Sequence, residues 1–246
     1  MKQRYKVTIS YDGTNYAGYQ FQPGHTTVQS VVELALKNLT GSDIRIHGSG
    51  RTDQGVHARG QVIHFDLQNP FEPFKLRIAM NAHLPEDVRV ESARKARADF
   101  DAQRSATEKE YRYFIWNGPV KTPDIRFHKT HIWKPLDVKA MRLAAKRLEG
   151  RHDFAAFSAN PRREIGGTVR TLKRLQVKKS GADIVIVAKG DGFLYKMVRS
   201  LAGFLIRVGA GEIEPGEAAG ILASKTRTQN VPTAPPQGLF LWRVRY

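Results

Sequence analysis

Residues 47–62, HGSGRTDQGVHARGQV, crowd glycine, arginine and histidine around a single carboxylate, Asp53. A cation near a carboxylate keeps it ionised, and an ionised aspartate serves as nucleophile or base. Arg51 and Gly55 flank Asp53, so the sequence supplies both the charge and a permissive backbone. The same Asp-Gln-Gly is also ordinary turn chemistry between strands, and the residues alone leave both readings open. Gly48-Ser49-Gly50 has neither the GxGxxG spacing nor a Gly-Lys-Ser/Thr, so the loop is not a nucleotide-phosphate cradle. His47, His57 and His64 show no HExxH pattern, which predicts turn and strand-end histidines rather than a metal site.

Three other places carry chemistry. Tyr111 and Tyr113, in KEYRYFIWN (109–117), fall on one face of a strand because side chains alternate. They are either a half-buried aromatic pair or, beside Lys109 and Arg112, a surface on which a base stacks. Arg199 lies about 200° around its predicted helix from Met197, which by itself predicts a solvated side chain. Arg162, Arg163, Arg170, Lys173, Arg174, Lys178 and Lys179 form a basic run interrupted by Glu164 alone among acids. That run reads either as a set of phosphate contacts or as a solvated strand face.

The elements that position these residues follow from hydrophobic period. Residues 4–13 alternate Tyr5, Val7, Ile9 and Tyr11 and end on Asp-Gly, a strand followed by a turn. Residues 26–41 predict a helix with a Thr26/Gln29 capping box, an apolar face of Val28, Val31, Val32, Ala35 and Leu39, and Gly41 as its stop. Strands at 43–50 and 60–67 flank the Asp53 loop, followed by a helix at 74–84 and a strand at 87–96. The second half repeats the flavour: strands at 109–117, 167–179 and 182–190, helices at 137–150, 193–211 and 214–224, and a last strand from 239. Irregular mixing of strands and helices predicts an α+β fold with a mostly antiparallel mixed sheet. It is expected as two pseudo-symmetric lobes, 1–105 and 106–246, with flanking helices and a central active-site cleft.

Of 246 residues, 40 are Lys or Arg and 23 are acidic, a formal charge of +17. Such a field attracts polyanions, nucleic acid foremost. The chain has no cysteine, which excludes disulfides and thiolate chemistry. Without a signal-peptide core or an apolar run of ~20 residues, the chain is expected to be cytoplasmic and not membrane-bound.

In combination and in this order, GRTDQGVHARGQVIHF (50–65), YDGTNYAGYQFQP (11–23), TVQSVVE (27–33), KEYRYFIWN (109–117), GRHDFAAFS (150–158), RTL (170–172), FLYKMVRSLAG (193–203) and GLFLW (238–242) resemble the tRNA pseudouridine synthase A family. The resemblance spans nearly the whole chain. It implies isomerisation of uridines on the 3′ side of the tRNA anticodon arm by a homodimer that needs no cofactor and no metal. It further implies Asp53 as the catalytic nucleophile, Tyr111 packed against the target base, Arg199 paired with the aspartate, and Arg51 displacing the target nucleotide from the stack. The chain departs from the family at Gln54 (usually Ala), at Asp101 and Gln103 (usually His and Arg), and at Tyr19 and Phe21 (Trp and Arg are commoner). The alternatives are a non-catalytic RNA-binding or ribosome-assembly protein and a metal-dependent nuclease, the latter requiring converging carboxylates.

Overall fold

The N-terminal alternation forms β1 (Gln3–Tyr11), with Tyr5, Val7, Ile9 and Tyr11 all buried. In this computed structural model, which describes residues 2–163 and 166–246, β1 is followed by α1 (Val28–Thr40), β2 (His47–Gly48), β3 (His57–Leu67), α2 (Pro73–His83) and β4 (Val88–Ala96). Then come β5 (Glu108–Trp116), β6 (Thr130–His131), α3 (Val138–Leu148), β7 (Gly150–Asp153), β8 (Val169–Ser180) and β9 (Asp183–Gly190). The chain ends with α4 (Met197–Gly209), α5 (Glu217–Ser224) and β10 (Leu239–Arg245). Glu164 and Ile165, inside the basic run, lie outside the described residues. The architecture is α+β, with mixed, mostly antiparallel β-structure and flanking helices. Among the described residues no helix is long and apolar enough to cross a membrane.

The chain divides into two compact units, one running to Thr107 and taking in Phe240–Tyr246, the other Glu108–Leu239. In the first, the strand order is β4-β1-β3-β10. β1 is antiparallel to both neighbours, with Val7 opposite Ile63 of β3 and Ala93 of β4. β10 runs parallel to β3, setting Phe240 beside His57. Helix α1 starts one residue later than its sequence predicts: Thr27 accepts the Ser30 N–H, and the Ser30 hydroxyl accepts the Thr27 N–H. Gln29 is unavailable for capping, because its Oε1 accepts the Phe21 N–H at 2.9 Å and its Nε2 donates to Glu33 at 2.9 Å. Leu36 replaces Leu39 in the buried face, and Gly41 ends the helix at φ 72°. The strand expected over 43–50 shrinks to His47–Gly48. The Ile46 N–H is claimed by Glu33 Oε1 at 3.1 Å and the Ile46 carbonyl accepts from Gln29, so α1 side chains replace the ladder there.

In the second unit the order is β5-β9-β8-β7, antiparallel throughout, with β6 parallel to the outer part of β5. Asp137 caps α3 by accepting the Lys139 and Ala140 N–H groups, and Met141, Ala144, Ala145 and Leu148 form its buried face as the spacing predicts. Leu194, Met197, Val198, Leu201, Leu205 and Val208 are also all buried. The helix carrying most of them nevertheless begins at Met197, not residue 193. Lys196 sits in the left-handed region at φ 58°, which breaks the helical run and leaves 191–196 as a loop leading out of β9.

Candidate active site

Antiparallel pairing of β1 with β3 sets Tyr11 opposite Ala58. The segment leaving β1 therefore runs beside the turn that enters β3, and that turn holds Arg51, Thr52 and Asp53. The Tyr11 hydroxyl and Thr52 Oγ1 lie 2.8 Å apart in the core, and burial raises the tyrosine pKa to about 12, so the phenol stays protonated. The Tyr19 N–H donates to the Thr52 carbonyl at 3.0 Å. Gly18, at φ +98°, allows this approach: a Cβ there would lie 2.9 Å from the Thr52 carbonyl oxygen and 3.3 Å from the Asp53 carbonyl carbon. At Gly13 a Cβ would overlap the Val56 carbonyl, while its N–H donates to Nδ1 of the buried His57 at 3.0 Å. Inside the turn, the Val56 N–H donates to the Asp53 carbonyl at 3.1 Å, with Gly55 at φ 74°. Asp53 is thus a half-buried carboxylate on a backbone fixed from both sides, and Arg51 is an exposed cation two residues earlier.

His47 and His57 open β2 and β3, strand-end positions as expected, whereas His64 lies inside β3. His47 and His64 face each other across β2 and β3 with rings stacked at 5.0 Å, and His57 stacks on Phe240 at 4.5 Å. The departures at Asp101 and Gln103 fall in a self-capped turn. Asp101 Oδ1 accepts the Gln103 and Arg104 N–H groups at 2.8 Å each. Burial opposes its ionisation, but these backbone donors hold its carboxyl below the usual range.

In the second unit Tyr111 and Tyr113 share one face of β5, and both are buried rather than half-buried. Their surroundings divide their roles. The Tyr113 hydroxyl bridges Thr130 Oγ1 at 2.6 Å and the Pro235 carbonyl at 2.9 Å, a structural bracket. The Tyr111 ring meets Phe193 edge-on, with centroids 5.1 Å apart and planes at 80°. Phe193 comes from the β9–α4 loop that the sequence reads as helix. Arg199 is not a solvated face residue: it is half-buried, its Nε donates to the Ala234 carbonyl at 2.8 Å, and its own carbonyl accepts the Ala234 N–H at 3.0 Å. Its charge reaches Tyr113, where it partly offsets the effect of burial on the hydroxyl. Tyr111 and Arg199 therefore belong to neighbouring parts of one unit, where α4 packs on β5. Asp53 and Arg51 belong to the other.

Sequence reasoning gave Tyr11, Thr52, Gly13, Gly18 and Phe193 no role at the site. All but Thr52 and Phe193 sit in the one segment YDGTNYAGY, whose two glycines close to a strand end were the available signal.

A family model described as tRNA pseudouridine synthase matches residues 7–103 and 144–246. The chain belongs to the tRNA pseudouridine synthase family. Asp53, Arg51 and Arg199 fall inside the matched segments, and Tyr111 lies in the interval between them. The chain is 45% identical over 245 residues to tRNA pseudouridine synthase A of Oceanobacillus iheyensis, covering 99% of this chain and 97% of that protein. It is 42% identical over 244 residues to the Brevibacillus brevis protein of the same name, covering 99% and 100%. With the Streptococcus pneumoniae protein it shares 42% over 246 residues, covering 99% and 98%. Membership of this family makes the protein an isomerase.

Proposed function

We propose that this protein converts uridine to pseudouridine on the 3′ side of the tRNA anticodon arm, with Asp53 as nucleophile and the target base turned out of the stack. The observation that carries this reading is the Asp53 turn, fixed by the buried Tyr11–Thr52 pair and by close backbone approach at Gly18. In the reaction the N1–C1′ bond breaks, the uracil turns, and a C5–C1′ bond forms. The proton lost from C5 is matched by one gained at N1, so the product is an isomer and no oxidant, reductant or hydrolytic water is consumed. The Asp53 carboxylate attacks C1′ as the N1–C1′ bond breaks, and it leaves again when C5 of the turned uracil closes the C5–C1′ bond. The family resemblance assigns Arg199 as the partner of this carboxylate.

Extruding the base costs a few kcal/mol. Stacking on Tyr111, whose ring is steadied by Phe193, offsets this, and Arg51 fills the vacated place. Lys173, Arg174 and Lys178, exposed along β8, hold the phosphates. The homodimeric state rests on the family resemblance. The decisive test is tritium release from C5-labelled uridine in unmodified tRNA. Asp53→Asn is expected to abolish release with tRNA affinity nearly intact, and substantial residual turnover would overturn the assignment.

A further inference from the structure

The second unit brings together two cations that the proposed reaction does not use. Lys109 precedes Tyr111 by two residues on β5, so both side chains leave the same face of the strand. Directly across, Lys109 pairs with Gly190 of β9, and Gly190 pairs with Leu172 of β8. Arg170 lies two residues before Leu172 and so shares that face. Gly190 puts no side chain between them, and it cannot carry one freely: a Cβ there would lie 2.8 Å from the Thr171 carbonyl oxygen and 3.3 Å from the Phe193 ring. The Arg170 stem passes Gly192, where a Cβ would meet its Cδ and Nε at 3.5 Å. Its Nη1 donates to the Gly167 and Val169 carbonyls at 3.0 and 2.7 Å, which fixes the guanidinium plane. Lys109 is half-buried; burial first, and the charge of Arg170 second, push its ammonium below the usual lysine range. Lys109 and Arg170 thus put two cationic heads on one face of the sheet beside Tyr111, an arrangement that draws a phosphate.

We propose that Lys109 and Arg170 form a subsite for one RNA backbone phosphate, next to the nucleotide whose base stacks on Tyr111. The proposal deepens the function above and rests on its reading of Tyr111. Arg170 presents the remaining edge of its fork to two phosphate oxygens, and Lys109 supplies a point charge to the same group. The phosphate thereby sets where along the strand the enzyme reads, since the base on Tyr111 is then fixed relative to its own backbone.

The test uses anticodon-arm RNAs in which each phosphate flanking the target uridine is replaced in turn by a neutral methylphosphonate. Equilibrium binding is measured over a range of salt for wild-type protein, Lys109→Gln, Arg170→Gln, the double variant and Lys109→Arg. One methylphosphonate position is expected to weaken wild-type binding about tenfold, the worth of one charge-assisted contact. Each Gln variant should lose about the same on unmodified RNA and become blind to that position, with a salt slope lower by ~0.7. Lys109→Arg should keep the discrimination. A wild-type protein indifferent to every methylphosphonate, or Gln variants that still discriminate like wild type, would overturn the subsite. If millimolar inorganic phosphate abolishes the methylphosphonate effect without releasing RNA, the site serves free phosphate and the proposal fails. The function reading fails separately: wild-type protein that shows the methylphosphonate pattern yet makes no pseudouridine would keep the subsite and lose the isomerisation.

Discussion

Gly18→Ala and Gly41→Ala add the same methyl group to two glycines of positive φ, +98° and +72°, in different surroundings. At Gly41, which ends α1, an added Cβ has nothing within 4 Å. The cost there is backbone strain alone, ~1 kcal/mol, which lowers Tm by about 2–4 °C for a chain of this size and leaves pseudouridine formation unchanged. At Gly18 the same strain is joined by a contact 2.9 Å from the Thr52 carbonyl oxygen and 3.3 Å from the Asp53 carbonyl carbon. Both atoms are backbone, so no rotamer change relieves the overlap. The segment must move off the turn, which stretches the 3.0 Å bond from the Tyr19 N–H to the Thr52 carbonyl and displaces Asp53 with it. Stability should fall by the strain plus about 1 kcal/mol for the weakened bond. A misplacement on the order of 1 Å at a reacting group costs about a hundredfold in rate. Single-turnover tritium release and thermal unfolding on both variants separate the two effects. If Gly18→Ala turned over within twofold of Gly41→Ala, the turn would not owe its position to the segment after β1, and the reasoning would be refuted.

Tyr11→Phe leaves the buried Thr52 hydroxyl without its phenol partner and should cost ~1–3 kcal/mol by urea unfolding; an unchanged midpoint would show that the pair does not brace the turn. Asp66, paired with Arg4 through two bonds of 2.8 and 2.9 Å, has its pKa lowered to about 2, first by that hydrogen bonding. Its contribution of about 2 kcal/mol is present above the unfolded carboxylate pKa and is lost as pH falls from about 4 to about 2. Asp66→Asn should flatten that part of the acid-unfolding curve, and an identical curve would contradict the pairing. Neutralising Lys173, Arg174 and Lys178 together should weaken tRNA binding and lower its salt slope; an unchanged slope would put the RNA elsewhere.

Much of this fold is legible in the sequence because its helices and several of its strands are amphipathic. α3 and β1 bury the residues their periods select, since burying that face is what makes them stable. The errors have local causes. Thr26 and Gln29 satisfy the capping pattern as well as Thr27 and Ser30 do, and only the commitment of Gln29 to Phe21 and Glu33 decides between them. The run from Phe193 fits a helical period, yet one left-handed residue, Lys196, cuts it and frees Phe193 to meet Tyr111. The parallel pairing of β10 with β3 joins Phe240 to His57 across most of the chain, and no local pattern encodes a partner that distant.

The site is harder to read than the fold, because a lone carboxylate has no spacing to betray it. In Asp-Gln-Gly the same residues make a turn or a nucleophile, and what separates the two is the surroundings of the backbone. The structure puts those surroundings in YDGTNYAGY. Tyr11 supplies the buried hydroxyl for Thr52, Tyr19 the N–H for its carbonyl, and Gly13 and Gly18 the absent side chains that let two backbones touch. An ordinary solvent-exposed turn needs none of these. A turn braced from behind by a second segment, with its carboxylate half-buried, matches what a reacting group requires: a position held before the substrate arrives. The glycines around Asp53 are thus only half of the explanation, and the other half lies 35 residues upstream, where Gly18 lets a second segment close on the back of the turn.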